Sequence, residues 1–267
     1  MLVALRVAPD SDPALAQRDT RDLPGLEDKD AARELLEQLG KRLTKLQTRL
    51  FAEGDRSVLL VLQGLDASGK DGVIRAVFTG VNPQGVRVVS FRVPTETERA
   101  HDYLWRVHGA LPSRGEIGIF NRSHYEDVVA VRMHGLAPND VWRRRPGHIR
   151  GWERMLADEG TTFVKVFLNV SREEQRQRFQ ERLENPEKRW KFRKADLDVR
   201  ERFDAYLGAW NDVIEETSTE WAPWHVVPAD RNWVKSTAVA MLLVEALERL
   251  DPKLPEPEPG LDGLVIT

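Results

Sequence analysis

The chain has 267 residues, enough for one large α/β domain with a sizeable core, and its 40 basic and 43 acidic residues leave a formal net charge of −3. That balance excludes a global field for polyanions, so any such ligand must be held by local clusters. The absence of cysteine excludes disulfides, thiol catalysis and Cys-ligated metals; with no legible signal peptide and no apolar run of about 18–20 residues, a soluble cytoplasmic protein without a membrane partner is expected.

The first 25 or so residues are rich in Asp, Pro and Arg without periodicity and are expected to form an arm on the surface. Asp30 then caps a helix through about residue 52. The apolar run Val58-Leu59-Leu60-Val61-Leu62 predicts a buried strand over 58–63, and it enters the turn Gly64-Leu65-Asp66-Ala67-Ser68-Gly69-Lys70-Asp71-Gly72. The spacing Gly64-x4-Gly69-Lys70 lets successive backbone N–H groups face phosphate oxygens, Lys70 adds a mobile positive charge, and the helix that follows (Val73, Ile74, Val77, Phe78) adds its dipole. Gly64, Ala67, Ser68, Gly69, Lys70, Asp71 and Gly72 are therefore the expected phosphate-binding positions. Where such loops have Ser or Thr to touch Mg²⁺, this one has Asp71, and a second carboxylate, Asp66, lies inside the loop. Two carboxylates beside phosphates repel them unless a cation intervenes, so the loop is expected to bring its own Mg²⁺ ligand, Asp66 before Asp71. The bland alternative is a Gly-rich turn without chemistry.

Further strands are expected at 86–91, 116–120, 162–169 and 224–228, with helical spacing between them at Tyr103/Leu104/Val107 and Val199/Phe203/Leu207. Strands alternating with helices imply a parallel sheet with helices on both faces. Phe120-Asn121-Arg122-Ser123-His124-Tyr125-Glu126-Asp127 leaves the third strand and should face the loop, since ligands of open parallel sheets bind beyond the strands' carboxyl ends. It offers Arg122 for a phosphoryl group, Asp127 or Asn121 for Mg²⁺ and Glu126 toward an acceptor. Ser123 and Asn121 capping a helix, with Glu126 and Asp127 favouring its N-terminus, is the competing structural reading, and His124 by itself reads as a packing residue. Ser171 with Glu174 forms a capping box after the fourth strand. The helix it opens carries Arg172, Arg176, Arg178 and Arg182, interleaved with glutamates as on an ordinary solvated face. In Lys188-Arg189-Trp190-Lys191-Phe192-Arg193-Lys194 five of seven residues are basic and none acidic, as expected of a mobile basic lid over a transferring phosphate. Arg143-Arg144-Arg145, with His148 and Arg150, is a second basic patch that extends the same track. Residues 252–267 begin Pro/Glu-rich and are expected to be a loose tail.

Taken in order, the loop 64–72, Asn121-Arg122-Ser123-His124-Tyr125-Glu126 and Asn185-Pro186-Glu187-Lys188-Arg189-Trp190-Lys191 closely resemble the family-2 polyphosphate kinases over nearly the whole chain. The resemblance implies a single P-loop kinase domain over 1–267 with a helical basic lid at about 182–200. It also implies Mg²⁺-dependent, reversible transfer from inorganic polyphosphate to nucleotides. Asp66 would help hold the metal and Lys70 the transferring phosphate; the reading of the second motif sets Asp127 beside Asp66 as the other expected metal ligand. Arg122, with Asn121 and Glu126, would bind nucleotide phosphates, and Arg178, Arg182, Lys188, Arg189, Lys191 and Arg193 the polyphosphate. Asn121 with Glu126 resembles the subgroup that accepts both AMP and ADP. On this reading Asp66, Lys70, Arg122 and Asp127 carry catalysis by in-line transfer between phosphate oxygens without a covalent intermediate. Two rivals remain at this point: an ATP-dependent nucleoside monophosphate kinase, and a single-stranded nucleic-acid module using Trp190 and Phe192, which the net charge disfavours. No nucleic-acid partner is expected, whereas a homo-oligomer is.

Overall fold

The computed structural model describes residues 1–261, the Ala195 side chain excepted, so residues 262–267 of the expected tail lie outside the described residues. In chain order the elements are α1 (Lys29–Glu53), β1 (Ser57–Gly64), α2 (Lys70–Phe78), β2 (Val86–Ser90), α3 (Glu96–Arg99), α4 (Trp105–His108), β3 (Ile117–Asn121) and α5 (Glu126–His134). There follow α6 (Asn139–Trp142), α7 (Arg145–Asp158), β4 (Thr161–Asn169), α8 (Arg172–Glu184), α9 (Ala195–Glu201), α10 (Phe203–Thr217), β5 (Trp224–Pro228) and α11 (Asn232–Leu250). The five strands form one parallel sheet in the order β2-β3-β1-β4-β5. β1 is central and buried along its whole length, which is why it reads as an unbroken apolar run; β2, at the edge, is half-exposed and alternates less cleanly. α1, α2 and α11 pack together in one layer, and α5, α7 and α10 in another. A parallel sheet with helices on both faces is the arrangement expected from the sequence.

Every expected strand is present within one or two residues of its expected ends. Three local expectations need correction. The cap of α1 is Asp28, not Asp30: Asp28 takes the extended conformation and accepts from the N–H groups of Asp30 and Ala31 at 2.8 and 2.7 Å. Only half of the capping box at Ser171 forms, because the Glu174 carboxylate is drawn to Arg178 at 2.8 Å. The N-terminal arm does cross the surface, but it buries Leu5, Val7, Leu15, Leu23 and Leu26, and it pairs with β5 through one antiparallel bridge, Arg6 to His225. Those apolar residues enter the core one at a time, so they carry no period for a sequence reading to detect. From Lys253 to Leu261 the chain is exposed and without regular structure.

Under the second motif lies a buried polar cluster. Lys165 of β4 and Glu153 of α7 are both fully buried and pair at 2.7 Å. The Tyr125 hydroxyl donates to Glu153 at 2.7 Å and accepts from Lys165 at 2.9 Å, while Lys165 also donates to the Thr217 carbonyl at 2.8 Å. His124 packs beside them against Tyr125 and Trp152, as expected of a packing residue.

Candidate active site

The turn after β1 and the turn after β3 leave neighbouring strands, and the strand register sets Leu62 opposite Asn121. The two sequence motifs therefore meet at the carboxyl edge of the sheet. Four loop and turn positions have left-handed backbone: Gly64 (φ 151°), Ala67 (φ 63°), Gly69 (φ 98°) and Arg122 (φ 62°). Two glycines are required sterically as well. A Cβ on Gly64 would stand 2.8 Å from the Leu168 carbonyl, and one on Gly69 would stand 2.3 Å from Lys235 Nζ. Ala67 and Arg122 hold a conformation unfavourable for residues with a side chain, and such strain concentrates at functional turns. Gly69 begins α2 with no side-chain cap, so the first N–H groups of that helix are available to an anion.

Lys70 is 8% exposed and folds back over the loop, donating to the Gly64 carbonyl (2.7 Å), the Leu65 carbonyl (3.3 Å) and Ser68 Oγ (3.4 Å). Burial, followed by the charge of Arg122, lowers it to about 8, with Asp66, Glu126 and Asp71 opposing. Arg122 pairs with Asp66, and although burial would lower its guanidinium, Asp66 and Glu126 hold it above its ordinary value. Glu126 is half-buried; burial raises its carboxyl, against the charges of Arg122 and Lys70. With the buried Gln63 amide turned so that its oxygen accepts from Ser123 N at 2.9 Å, its nitrogen donates to Glu126 Oε1 at 3.0 Å. The end of β1 thus orients the carboxylate that begins α5. Asp71, at the position usual for Ser or Thr, accepts from Asn121 Nδ2 at 2.7 Å and lies 3.8 Å from Lys191 Nζ of the basic run. Lys191 belongs to a short 3₁₀ turn, Arg189–Lys191, which rests on α8 through an edge contact of Phe192 with Phe179.

The structure thus gathers Asp66, Lys70, Asp71, Asn121, Arg122, Glu126 and Lys191. It does not bring Asp127 to this group. Adjacent residues on a helix point about 100° apart, so Glu126 and Asp127 cannot both face the loop. The Asp127 carboxylate pairs instead with Arg106 at 3.2 Å, both side chains nearly buried, and Arg145 donates to its carbonyl at 2.5 Å. Arg178 also departs from expectation. Rather than facing solvent for polyphosphate, it is occupied by the carbonyls of Ala67 (2.9 Å), Ser68 (3.0 Å), Ala229 (2.8 Å) and Asp230 (2.7 Å). Lys188, Arg189 and Arg193 stay exposed on the basic segment, while Arg182 of α8 is half-buried and lies over the Phe179 ring. Gly72 faces open space, so only its N–H can serve the site. In the second basic patch Arg143 stacks on Trp142 and Arg144 pairs with Asp140.

Three residues beside the site escape a sequence reading. Gln175 donates from α8 to the Asp66 carbonyl at 3.0 Å. Asp196, whose carboxyl is raised by burial with the charge of Asp66 adding to the rise, helps hold the Arg122 guanidinium above its ordinary value. Lys235 is 1% exposed and reaches the back of the loop. Only the last left a trace in the sequence, as the one charged residue of α11 before Glu245.

Residues 26–255 match the family described as Polyphosphate kinase 2. The chain belongs to that family. It is 56% identical over 262 residues to an AMP/ADP-polyphosphate phosphotransferase of Meiothermus ruber, covering 98% of each chain. It is 43% identical over 258 residues to an ADP-polyphosphate phosphotransferase of Rhodopseudomonas palustris, covering 92% of this chain and 89% of the relative. Its fold superposes on the crystal structure of Polyphosphate kinase 2 from Arthrobacter aurescens TC1 with a TM-score of 0.93 at 41% identity, over 97% of this chain and 93% of that one. Family membership makes the chain a polyphosphate kinase and disfavours both rivals. Among the described residues no helix is long and apolar enough to cross a membrane.

Proposed function

We propose that this chain moves the terminal phosphoryl group of inorganic polyphosphate onto AMP and ADP, reversibly and with Mg²⁺. The observation that carries the reading is the meeting of Lys70, Asp66, Arg122 and Glu126 at the carboxyl edge of β1 and β3, with lysine-rich chain against Asp71. In the transfer, an anionic oxygen of the acceptor's terminal phosphate attacks the last phosphorus of the polyphosphate. The bridging P–O bond breaks, and the shortened polyphosphate leaves with the electron pair. No proton need be removed from the acceptor, so the protein's work is alignment and charge neutralisation. Lys70 exchanges its carbonyl partners for phosphate oxygens, Arg122 exchanges Asp66 for the transferring group, and the uncapped start of α2 supplies N–H donors.

The donor set fits Mg²⁺. Among the described residues no group of three or more His, Asp or Glu side chains forms a metal cage. Mg²⁺ seldom needs one, because it keeps waters and substrate phosphates beside one or two carboxylates. Asp66, 24% exposed at the rim, and Glu126 are the oxygens that would hold it. When bound, the cation would offset charge shared by donor and acceptor phosphates. Asp66→Asn keeps the shape and removes the charge. The half-saturating Mg²⁺ concentration for initial rate should therefore rise by about tenfold, while the KM for ADP changes less. An unchanged Mg²⁺ titration with only a scaled maximum would assign Asp66 another role.

The segment 188–194 serves as the polyphosphate track. Neutralising Lys188, Arg189 and Lys191 together should raise the KM for long polyphosphate about tenfold or more and steepen no other dependence. The salt sensitivity of polyphosphate use should flatten, because a polyanion contacting several cations binds through counterion release. Equal effects on the two KM values would place the segment over the nucleotide instead. The overall reading is tested by supplying purified protein with Mg²⁺, polyphosphate and either ADP or AMP, with no other phosphoryl donor. ATP forms from ADP, and ADP then ATP from AMP; no product with either acceptor refutes it.

A further inference from the structure

Lys235 lies on the face of α11 that buries Val234, Ala238, Val239 and Leu242. Its ammonium donates to the carbonyls of Ser68 (2.9 Å) and Ala229 (3.2 Å). Arg178 converges on the same Ser68 carbonyl at 3.0 Å from α8, so two cations grip the loop from behind. The Ser68–Gly69 peptide is trans, which sets its carbonyl and its N–H on opposite sides. Drawing the carbonyl back toward Lys235 therefore turns the Gly69 N–H forward, to the side where the uncapped start of α2 is open to an anion. A glycine is needed at 69 because the ammonium occupies the space a Cβ would take.

We propose that Lys235 is a positioning residue for phosphoryl transfer: its ammonium fixes the Ser68–Gly69 peptide with the N–H toward the phosphates and places a positive charge beneath them without touching them. The inference rests on the reading of loop 64–72 as the polyphosphate site. A lysine that merely ties α11 to the loop would act alike at every pH, whereas one that acts through its charge would not. The charged groups facing it are Arg178 and Glu174 of α8, Asp230 before α11 and Lys70 of α2. Burial, followed by the charge of Arg178, brings Lys235 down to about 7, with Glu174 and Asp230 opposing and Lys70 adding to the fall. The active ammonium is therefore present in the free protein below about 7 and lost above it. A polyanion in front of the loop favours the charged form, so binding takes up a proton.

Two measurements test this. The first is the ratio of kcat/KM for polyphosphate in wild type to that in Lys235→Met, from pH 6 to 9, since kcat/KM reports the free enzyme. The ratio should be about tenfold or more at pH 6 and shrink toward unity as the wild-type lysine becomes neutral. A ratio that is constant with pH, or near one throughout, overturns the proposal. The second needs no folded Lys235 variant. Titration calorimetry of polyphosphate, without nucleotide, in two buffers of different ionisation enthalpy counts protons taken up at pH 7.5. The Lys70→Met background removes the share of the loop lysine. Net uptake should persist there; no uptake in the Lys70→Met protein overturns the proposal. If wild type makes no ATP from polyphosphate, the site reading fails and this inference with it. If wild type is active and the ratio is flat, only the inference fails.

Discussion

Lys70→Ala removes nearly all phosphotransfer while the protein remains folded. The ammonium is the nearest mobile cation to the phosphate loop, and losing one such contact at a transferring group costs on the order of 3–4 kcal/mol, or 10²- to 10³-fold in kcat. Stability should change little for a reason the structure makes specific. The side chain is not an exposed loop lysine but a buried one, whose ammonium is desolvated and held below its ordinary value. Removing it frees the Gly64 and Leu65 carbonyls and at the same time relieves a buried charge; the two effects oppose each other, each about 1–3 kcal/mol. Chemical denaturation and initial rates on the same preparation check both halves. A folded variant that keeps more than about a tenth of wild-type kcat would move the phosphoryl site away from this loop.

Glu153→Gln should be the most destabilising conservative change beneath the site, at about 3–5 kcal/mol. It leaves the Lys165 ammonium fully buried with only neutral partners, the Tyr125 hydroxyl and the Thr217 carbonyl. Burial alone would raise the Glu153 carboxyl, but the charge of Lys165 and the neighbouring His124 bring it below its ordinary value. A carboxylate depressed in the folded state stabilises above its unfolded pKa and loses that contribution as pH falls through the folded one. Wild type should therefore lose stability on the acid side of the carboxylate range more steeply than Glu153→Gln does. Replacing both charges, with Glu153→Leu and Lys165→Met, should recover most of the loss, since it is the orphaned charge that costs. Urea unfolding of the three proteins decides; a cost below about 1 kcal/mol for the single change would mean the pair holds nothing. Because Tyr125 joins this cluster and precedes Glu126, a loosened pair should also blur the second motif.

What the sequence revealed and what it hid follow from the range of the interactions. The central strand was legible because a parallel strand buried on both faces reads as an unbroken Val/Leu run, and the others because β-branched and aromatic residues cluster in short segments between helical spacings. The loop 64–72 and the turn at 121–126 were legible because their chemistry is written in consecutive residues. The misplaced cap of α1 arose because Asp28 and Asp30 are equally able caps two residues apart, and only the backbone chooses. The pairings that redirect Asp127 and Arg178 were not legible: Arg106 lies 21 residues from Asp127, and the Ser68 carbonyl 110 residues from Arg178. A basic helix looks alike in sequence whether its arginines face a polyanion or clamp a loop.

The bridge between Arg6 and His225 has a consequence for self-association. A bare strand edge is a template for another chain, and on one side of the sheet the arm denies it. Val7 donates to the Trp224 carbonyl at 2.9 Å, and Val226 donates to the Leu5 carbonyl at 2.8 Å, so part of the outer ladder of β5 is already taken. The opposite edge, β2, has no such cover among the described residues, and Val88 there is exposed. Peeling the arm away would give the sheet two adhesive margins instead of one, and molecules open at both margins can add to one another without end, whereas those open at a single margin can only pair.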